Sequence, residues 1–585
     1  MMTLTFPDWR LMRTLWEAPH LPLWNPWRSF GEPHLADPQT MALYPPMVLL
    51  SAGEDFMGFL RLWVVGHTLL AALFMAALAW RLYACVPAAA AAAVVAGCNG
   101  FFMARVTFTD HFASAAWLPA ILYAQEVGSP LGLGFCLALQ WLAGFPPFFM
   151  VSLVAAAVWA ACQGRQGVMI FGQGCLWALG LCAIQVVPFL EMLVNSARGV
   201  FLYPAAAVKY SVPARQLLKE LFMPLWSFYS PTLAGDPAIV TFYAGVLVLG
   251  LALWGIGRGR RREAGFALAT AGACLLSLGG GLPGYRIIPL FHVFRFPANW
   301  LLLAASGLSL LCAAGIAVLT TARARWLAAA AVTLELILFA QPTRVAWARP
   351  GLLTDAPVLA RTLSGGAGPM RIYHTGRLFS LWKQGSLRTE EDYLLMRDFL
   401  APSFGTAFGI QEVSSYQTLA PRLSVMYAQR LAAQRLPSSL LDRAGVAMVV
   451  DLAPGAGRIE RDTLRVILNP GARPRVFPED ATCAQVKLLG YHPGLVTASV
   501  AAVRPTKVVL AETDYPGWRA WVDGRPVASA RYDDIFPAVA VLEGKHEVRF
   551  RFVSLTFWWG ALISAVTFIG WLLSVRNSAR VRPVL

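Results

Sequence analysis

Between residues 57 and 341 the chain alternates apolar runs with short polar breaks, and this alternation leaves few folds open to it. The runs lie near 57–80, 84–103, 110–124, 131–145, 148–162, 168–190, 238–256, 265–280, 299–319 and 326–341, and one more lies at 556–574. In hydrocarbon a segment must satisfy its own backbone hydrogen bonds, which a helix does, and about 20 apolar residues are needed to cross. The pattern predicts a polytopic α-helical membrane protein of about eleven spans. Several runs are short for that length, so tilted or broken helices are expected between 110 and 162, where Phe145-Pro146-Pro147-Phe148 marks a tight turn. Hydrophobic residues make up 57% of the chain and charged residues 14%, in keeping with this class.

The net charge of +16 raises the question of nucleic acid. The basic residues are dispersed or sit in short loops, with no basic stripe on a recognisable binding module, so a nucleic-acid partner is excluded. Short positive loops instead orient a membrane protein. Arg258, Arg260, Arg261 and Arg262 crowd one connection, Arg323 and Arg325 another, and Arg576, Arg580 and Arg582 the tail. All three are expected to be cytoplasmic. Counting outward places 191–237, 281–298, 342–555 and 1–56 on the extracytoplasmic side. Residues 1–20 carry no signal-peptide pattern, and the parity leads us to expect one more span upstream of Met1.

The organisation expected is an extracytoplasmic segment 1–56, a helix bundle 57–341, a mixed α/β region 342–474, a β-sandwich-like region 475–555, and a final helix and tail 556–585. In the first segment, Trp9, Met12 and Trp16 share one helical face, which predicts a short helix lying in the interface plane, capped by Asp8. MRIYH at Met370 and GVAMVVD at Gly445 read as strands, and 431–441 as helical with a break at Pro437. Beyond Arg475, LVTASVAAV, TKVVLAET, WRAWVDGRPVAS, AVAVLEG and HEVRFRF are short alternating runs. Asp523-Gly524 is a hairpin signal, because a type I′ turn needs positive φ at both central residues. Of the nine cysteines, only Cys483 lies in a long polar region. None has metal-ligand spacing, and the metalloprotease, P-loop and dinucleotide-binding motifs are absent.

The stretch Leu21–Pro46 is too polar and too rich in proline to cross a bilayer, yet it stands just before the first apolar run. Trp24, Trp27 and Tyr44 suit a membrane–water interface, while Asn25, Arg28, His34, Asp37 and Gln39 can hold a polar ligand. It reads either as a capping loop over the bundle or as one wall of a site at the membrane face. Asp110-His111 ends a span, where ionisable groups are functional candidates by default; the alternative is Asp110 capping the next helix. Arg61 and His67 lie inside the first span, where a snorkelling arginine and a locally bonded histidine are the plain readings.

Several motifs then carry a resemblance. PLWNPWRSFGEPHLADPQTMALYPP resembles the first outer loop of the bacterial YfhO family of membrane proteins. SAR at Ser196–Arg198, FRFPANW at Phe294–Trp300, DYPGWRAWVDGRPV at Asp514–Val527 and EGKHEVRFRF at Glu543–Phe552 are similar to that family in the same order. YfhO proteins are grouped with the GT-C membrane glycosyltransferases. The resemblance implies a GT-C-like bundle in the bacterial cytoplasmic membrane. It would transfer a sugar from a polyprenyl-phosphate donor to an envelope glycan, lipid or protein acceptor outside. It implies Asp110, His111 and Asp37 as catalytic residues. Trp24, Asn25, Gln39 and Tyr44 would bind substrate, and Arg198 and Arg295 would hold the phosphate, with Glu191 in reach of the site. The family pattern also allows a divalent metal between Asp37 and Asp110. The family's usual aspartate, which follows the first helix, would fall at or before Met1, and Asp8 is the nearest acid. The alternatives are a degenerate relative that binds a lipid-linked glycan or envelope partner, and a lipid-glycan transporter.

Overall fold

The computed structural model describes residues 5–17, 21–198, 204–222, 241–258, 261–288, 295–340, 351–364, 370–384, 390–413, 415, 419–434, 438–456 and 459–581. Gly259, Arg260, Phe294, Pro437 and Arg582 lie outside them, as do the side chains of Trp16 and Arg580. The fold is mostly helical with a β-rich C-terminal region, and it divides into two compact units. One comprises 1–56, 187–199 and 347–559; the other comprises 57–186, 200–346 and 560–585.

The first unit holds every sheet found among the described residues. Strands β1 (Trp24–Asn25) and β2 (Glu32–Pro33) pair as a short antiparallel hairpin. Strands β3 (Arg371–His374), β4 (Gln411–Glu412), β5 (Val446–Leu452) and β6 (Leu464–Leu468) form a mixed sheet in the order β4-β3-β5-β6. The remaining strands are β7 (Val476–Pro478), β8 (Ala484–His492), β9 (Leu495–Ala502), β10 (Thr506–Leu510), β11 (Trp518–Val522), β12 (Arg525–Val527), β13 (Ala530–Tyr532), β14 (Phe536–Val541) and β15 (Gly544–Phe552). They build two antiparallel sheets, β13-β14-β10-β7 and β12-β11-β15-β9-β8. Alternation decides which side chains are buried: on β15, Val548, Phe550 and Phe552 point inward while Glu547, Arg549 and Arg551 stay exposed. The β11–β12 turn has φ of 51° at Asp523 and 76° at Gly524, as a type I′ turn requires.

The N-terminal segment departs from expectation. The helix Thr5–Glu17 does not present its aromatic face outward: Phe6, Trp9, Leu11 and Met12 are buried, with Phe6 against Phe56, Phe404 and Phe408. The apolar stripe read from the sequence is real, but protein covers it. Asp8 does not cap this helix; it lies in the first turn and pairs with Arg28 at 2.8 Å.

In the second unit and the segments entering it, each of the eleven apolar runs contains helix among its described residues. Among the described residues four helices are long and apolar enough to cross a membrane: Phe56–Tyr83, Val86–Thr107, Pro297–Ala317 and Leu555–Asn577. The run read as one span at 168–190 is two helices, Gly164–Leu181 and Ala183–Asn195, bent by 77°. The groups exposed at the break bond instead to Ser564: its Oγ accepts from Ile184 N (2.9 Å) and lies 3.1 and 3.0 Å from the Gly180 and Leu181 carbonyls. Helices Val246–Arg258 and Leu301–Ala317 meet through small residues, with an ideal Cβ on Gly315 falling 2.0 Å from the Leu251 carbonyl oxygen.

This close approach gives a paired test. Gly315→Ala must push two backbones apart, so thermal unfolding in detergent is expected to show a loss of about 1–3 kcal/mol. Gly250→Ala, on the same helix as Leu251 but with open space at its Cβ, is expected to gain up to ~1 kcal/mol from helix propensity.

Candidate functional site

The sequence-predicted residues fall into one group in each unit. In the second unit, Asn99 ends the helix Val86–Cys98 and its Oδ1 caps the next turn through Phe102 N at 3.0 Å. A 3-10 turn over Ala104–Thr107 follows, then a new helix at Thr109–Ala116. This broken backbone places Arg105, Asp110 and His111 together. Asp110 occupies the first turn of its helix, whose N-cap position is Phe108. Its Oδ2 lies 3.8 Å from His111 Nε2, an ion-pair separation longer than a hydrogen bond.

The His111 imidazole lies against Phe145, with ring centres 3.6 Å apart, and stacks on Phe108. Its Nδ1 is buried with no hydrogen-bond partner among the described residues. Arg105, fully buried, places its guanidinium 3.7 Å from the Phe101 ring centre and 5.0 Å from that of Phe148. Its Nη1 donates to the Phe101 carbonyl at 3.3 Å and its Nη2 to Asn299 Oδ1 at 3.4 Å. Asn299 Nδ2 in turn donates to the carbonyl of Arg295, also at 3.4 Å. Arg295 is thus joined to this cluster through its backbone, and its side chain is half-buried. Phe296 beside it has φ of 72°, a left-handed conformation rare for an aromatic residue.

Arg105 was missed in the sequence. A cation at the end of an apolar run is the signal that could have found it. His67 lies inside its helix and its Nδ1 is 2.7 Å from the Trp63 carbonyl. Arg61 is exposed.

In the first unit, the polar side chains Asn25, Arg28, His34 and Asp37 of the loop Leu21–Pro46 are buried. Trp24, expected to bind substrate, is packed among Tyr515, Trp518 and Phe552 in the sandwich core. Its Nε1 donates to Glu512 Oε2 at 2.9 Å. Asn25 is fully buried and its Oδ1 accepts from Trp27 N at 3.0 Å. Tyr44 is buried at the start of the helix Pro45–Leu50. All three side chains are buried, with Trp24 inside the sandwich core.

Asp37, Gln39 and Arg198 remain a set. Asp37 caps the turn Pro38–Thr40, accepting from Gln39 N at 3.0 Å. Burial pushes its pKa up to about 6, against the opposing pull of the Gln39 amide, Arg28 and Arg198. His34, buried and close to Arg28, is pushed down to about 3 by burial first and the guanidinium second, so it is neutral. Burial raises Glu412 to about 8 although Ser403 N and Gly405 N donate to it. Gln39 and Arg198 are half-buried.

Among the described residues no group of three or more His, Cys, Asp or Glu is gathered as a metal site would require. Asp37 and Asp110 belong to different units.

Asp37 has a folded pKa above its unfolded value of about 3.9, so the folded state holds its proton more tightly. The stability this contributes is complete below pH ~4 and is lost as pH rises through about 6. Asp37→Asn keeps the cap acceptor and removes the titration. Denaturation curves from pH 4 to 8 are expected to show the parent losing at most ~3 kcal/mol that the variant does not lose. Parallel curves for the two proteins would refute the shift.

The chain matches no protein-family model and no curated protein.

Proposed function

We propose that the chain is a multi-span membrane glycosyltransferase that moves a sugar from a polyprenyl-phosphate donor to a cell-envelope acceptor on the extracytoplasmic side. Two features support the membrane setting. The final helix carries Leu562, Val566, Ile569 and Leu573, each more than half exposed, as a continuous apolar stripe suited to lipid. The arginine-loop count places 1–56, 191–237 and 342–555 on one side. Segments 1–56, 187–199 and 347–559 contribute to a single compact unit, which favours that orientation.

The observation that carries the chemical reading is the Arg105–Asp110–His111–Asn299 cluster among apolar helices. Sugar transfer needs a base for the acceptor hydroxyl, which the Asp110–His111 pair offers. It also needs cations for the phosphate as charge develops on it. Arg295 supplies a planar fork for that role. The second reading, a binding protein descended from such enzymes, draws on the first unit. There the acid nearest the family's usual position, Asp8, is paired with Arg28, and Asp37 serves as a cap.

Asp110→Asn preserves shape and removes charge. A transferase is expected to lose ~10²–10⁴-fold in turnover with an unchanged melting temperature. Arg295→Lys is expected to raise the donor KM. Retention of full activity by both, in an active preparation, would take these residues out of the mechanism. Total inactivity of the parent chain with every polyprenyl-phosphate sugar tried would favour the binding reading.

Topology is tested separately. In intact cells, a cysteine at the exposed Ser529 is expected to react with an impermeant thiol reagent above the parent's background. One at the exposed Thr320 is not, and the reverse pattern would overturn the orientation.

A further inference from the structure

Alternate side chains of a strand point to opposite faces, so the five-stranded sheet has one face in the sandwich core and one open. On the open face Arg519 of β11 stands directly opposite Arg551 of β15, and Trp521 stands opposite Arg549. Both members of the first pair are exposed. Like charges directly opposed across strands repel each other. Arg549 has Glu547 at 3.2 Å, whereas Arg519 and Arg551 have no ion-pair partner among the described residues. A bridging anion would relieve the repulsion, and two planar guanidinium forks match the oxygens of a phosphate.

The position of the pair selects the source of that phosphate. Arg551 precedes Leu555, the first residue of the final apolar helix, by four residues, at most ~14 Å of extended chain. Trp558 and Trp559, in the first turns of that helix, are 51% and 63% exposed, and exposed tryptophans favour the headgroup zone. Leu495, opposite Arg551 on β9, is also exposed. Of the other cations of this face on β15, Arg549 is paired with Glu547 and Lys545 lies ~20 Å further from the helix along the strand. The unpaired arginines therefore stand at the end from which the chain enters the helix.

We propose that Arg519 and Arg551 form a docking site for the phosphate of an acidic phospholipid headgroup, in the bilayer that the helix Leu555–Val581 enters. The site rests on the membrane reading given above. It fixes the open sheet face against the headgroups and thereby orients the sandwich.

The test uses the full chain in nanodiscs containing phosphatidylglycerol with a photoactivatable headgroup, with cross-links mapped by peptide mass spectrometry. Cross-links are expected on the segments around Leu495 and Arg551, weakened by high salt. Arg519→Gln/Arg551→Gln is expected to lower them about thirtyfold, at about fivefold for each cation near a charged surface. Lys487→Gln/Lys545→Gln is expected to leave them unchanged. If the double glutamine variant does not fold, Arg519→Lys/Arg551→Lys keeps the charge without the fork and is expected to give an intermediate yield.

Equal cross-linking by a photoactivatable phosphatidylcholine would mean proximity without recognition and would overturn the site. So would displacement of the lipid by soluble polyphosphate, which would assign the face to a soluble polyanion. Incorporation into nanodiscs without cross-links refutes this site alone, whereas a chain that does not incorporate refutes the membrane reading as well.

Discussion

The first unit depends on one buried hydrogen bond, Trp24 Nε1 to Glu512 Oε2, which joins residues 488 apart in sequence. A buried carboxylate is costly unless it is bonded and balanced by charge. Glu512 is both: Tyr491 Oη donates to its other oxygen at 2.8 Å, and although burial raises its pKa, Arg475 and Arg371 stand close enough to oppose that rise. Arg371 in turn donates to the Ala444 and Ala511 carbonyls at 2.7 and 3.0 Å and lies over the Phe30 ring. The network thus ties the N-terminal loop, the mixed sheet and the sandwich into one unit. The loop backbone is bent to fit it. Ser29, Phe30 and Gly31 all have positive φ, and a Cβ at Gly31 would fall 2.4 Å from both the Trp24 ring and the Glu512 carboxylate. Only glycine meets both demands at that position.

How much of this was legible in the sequence follows from the range of each interaction. The period-2 runs of β9 and β15, and the turn at Asp523-Gly524, are local patterns, and the strands lie where those patterns put them. The apolar runs are likewise local, and each contains helix. Partner identity is not local. The Trp9–Met12 stripe announces an apolar contact but not whether lipid or Phe56 and Phe404 supply it. The partner of Asp8 is Arg28, twenty positions on and across a turn that composition does not define. Trp24 has the same ambiguity, since an amphipathic aromatic suits a bilayer interface and a protein core equally. The bend at Cys182 was hidden because the run from 168 to 190 stays apolar across it.

The candidate site was legible in part for the same reason. Asp110-His111 stands out as adjacent charges at the end of an apolar run. Arg105 is less visible, because its importance comes from stacking on Phe101 and bonding to Asn299, nearly two hundred residues away. The loop acids posed the opposite difficulty. Asp8, Glu32, Asp37 and Glu412 look available in the sequence, yet each is buried. Arg28 pairs with Asp8 and Glu32, and backbone amides hold Asp37 and Glu412.

That difference in surroundings separates structure from chemistry in this protein. In the first unit, Asp8 and Glu32 are matched by Arg28, and Asp37 and Glu412 by backbone amides. The imidazole of His111 instead has a buried nitrogen with no partner among the described residues, which is an energetic deficit of roughly 1–3 kcal/mol for the resting fold. A fold retains such a deficit where another interaction outweighs it, and here the stacking on Phe145 and Phe108 holds the ring whether or not that nitrogen is bonded. The ring is therefore fixed by apolar contacts while its nitrogen stays able to accept a proton or a hydrogen bond from a bound hydroxyl. In the function proposed above, that combination suits His111 to act with Asp110 as the base for the acceptor hydroxyl.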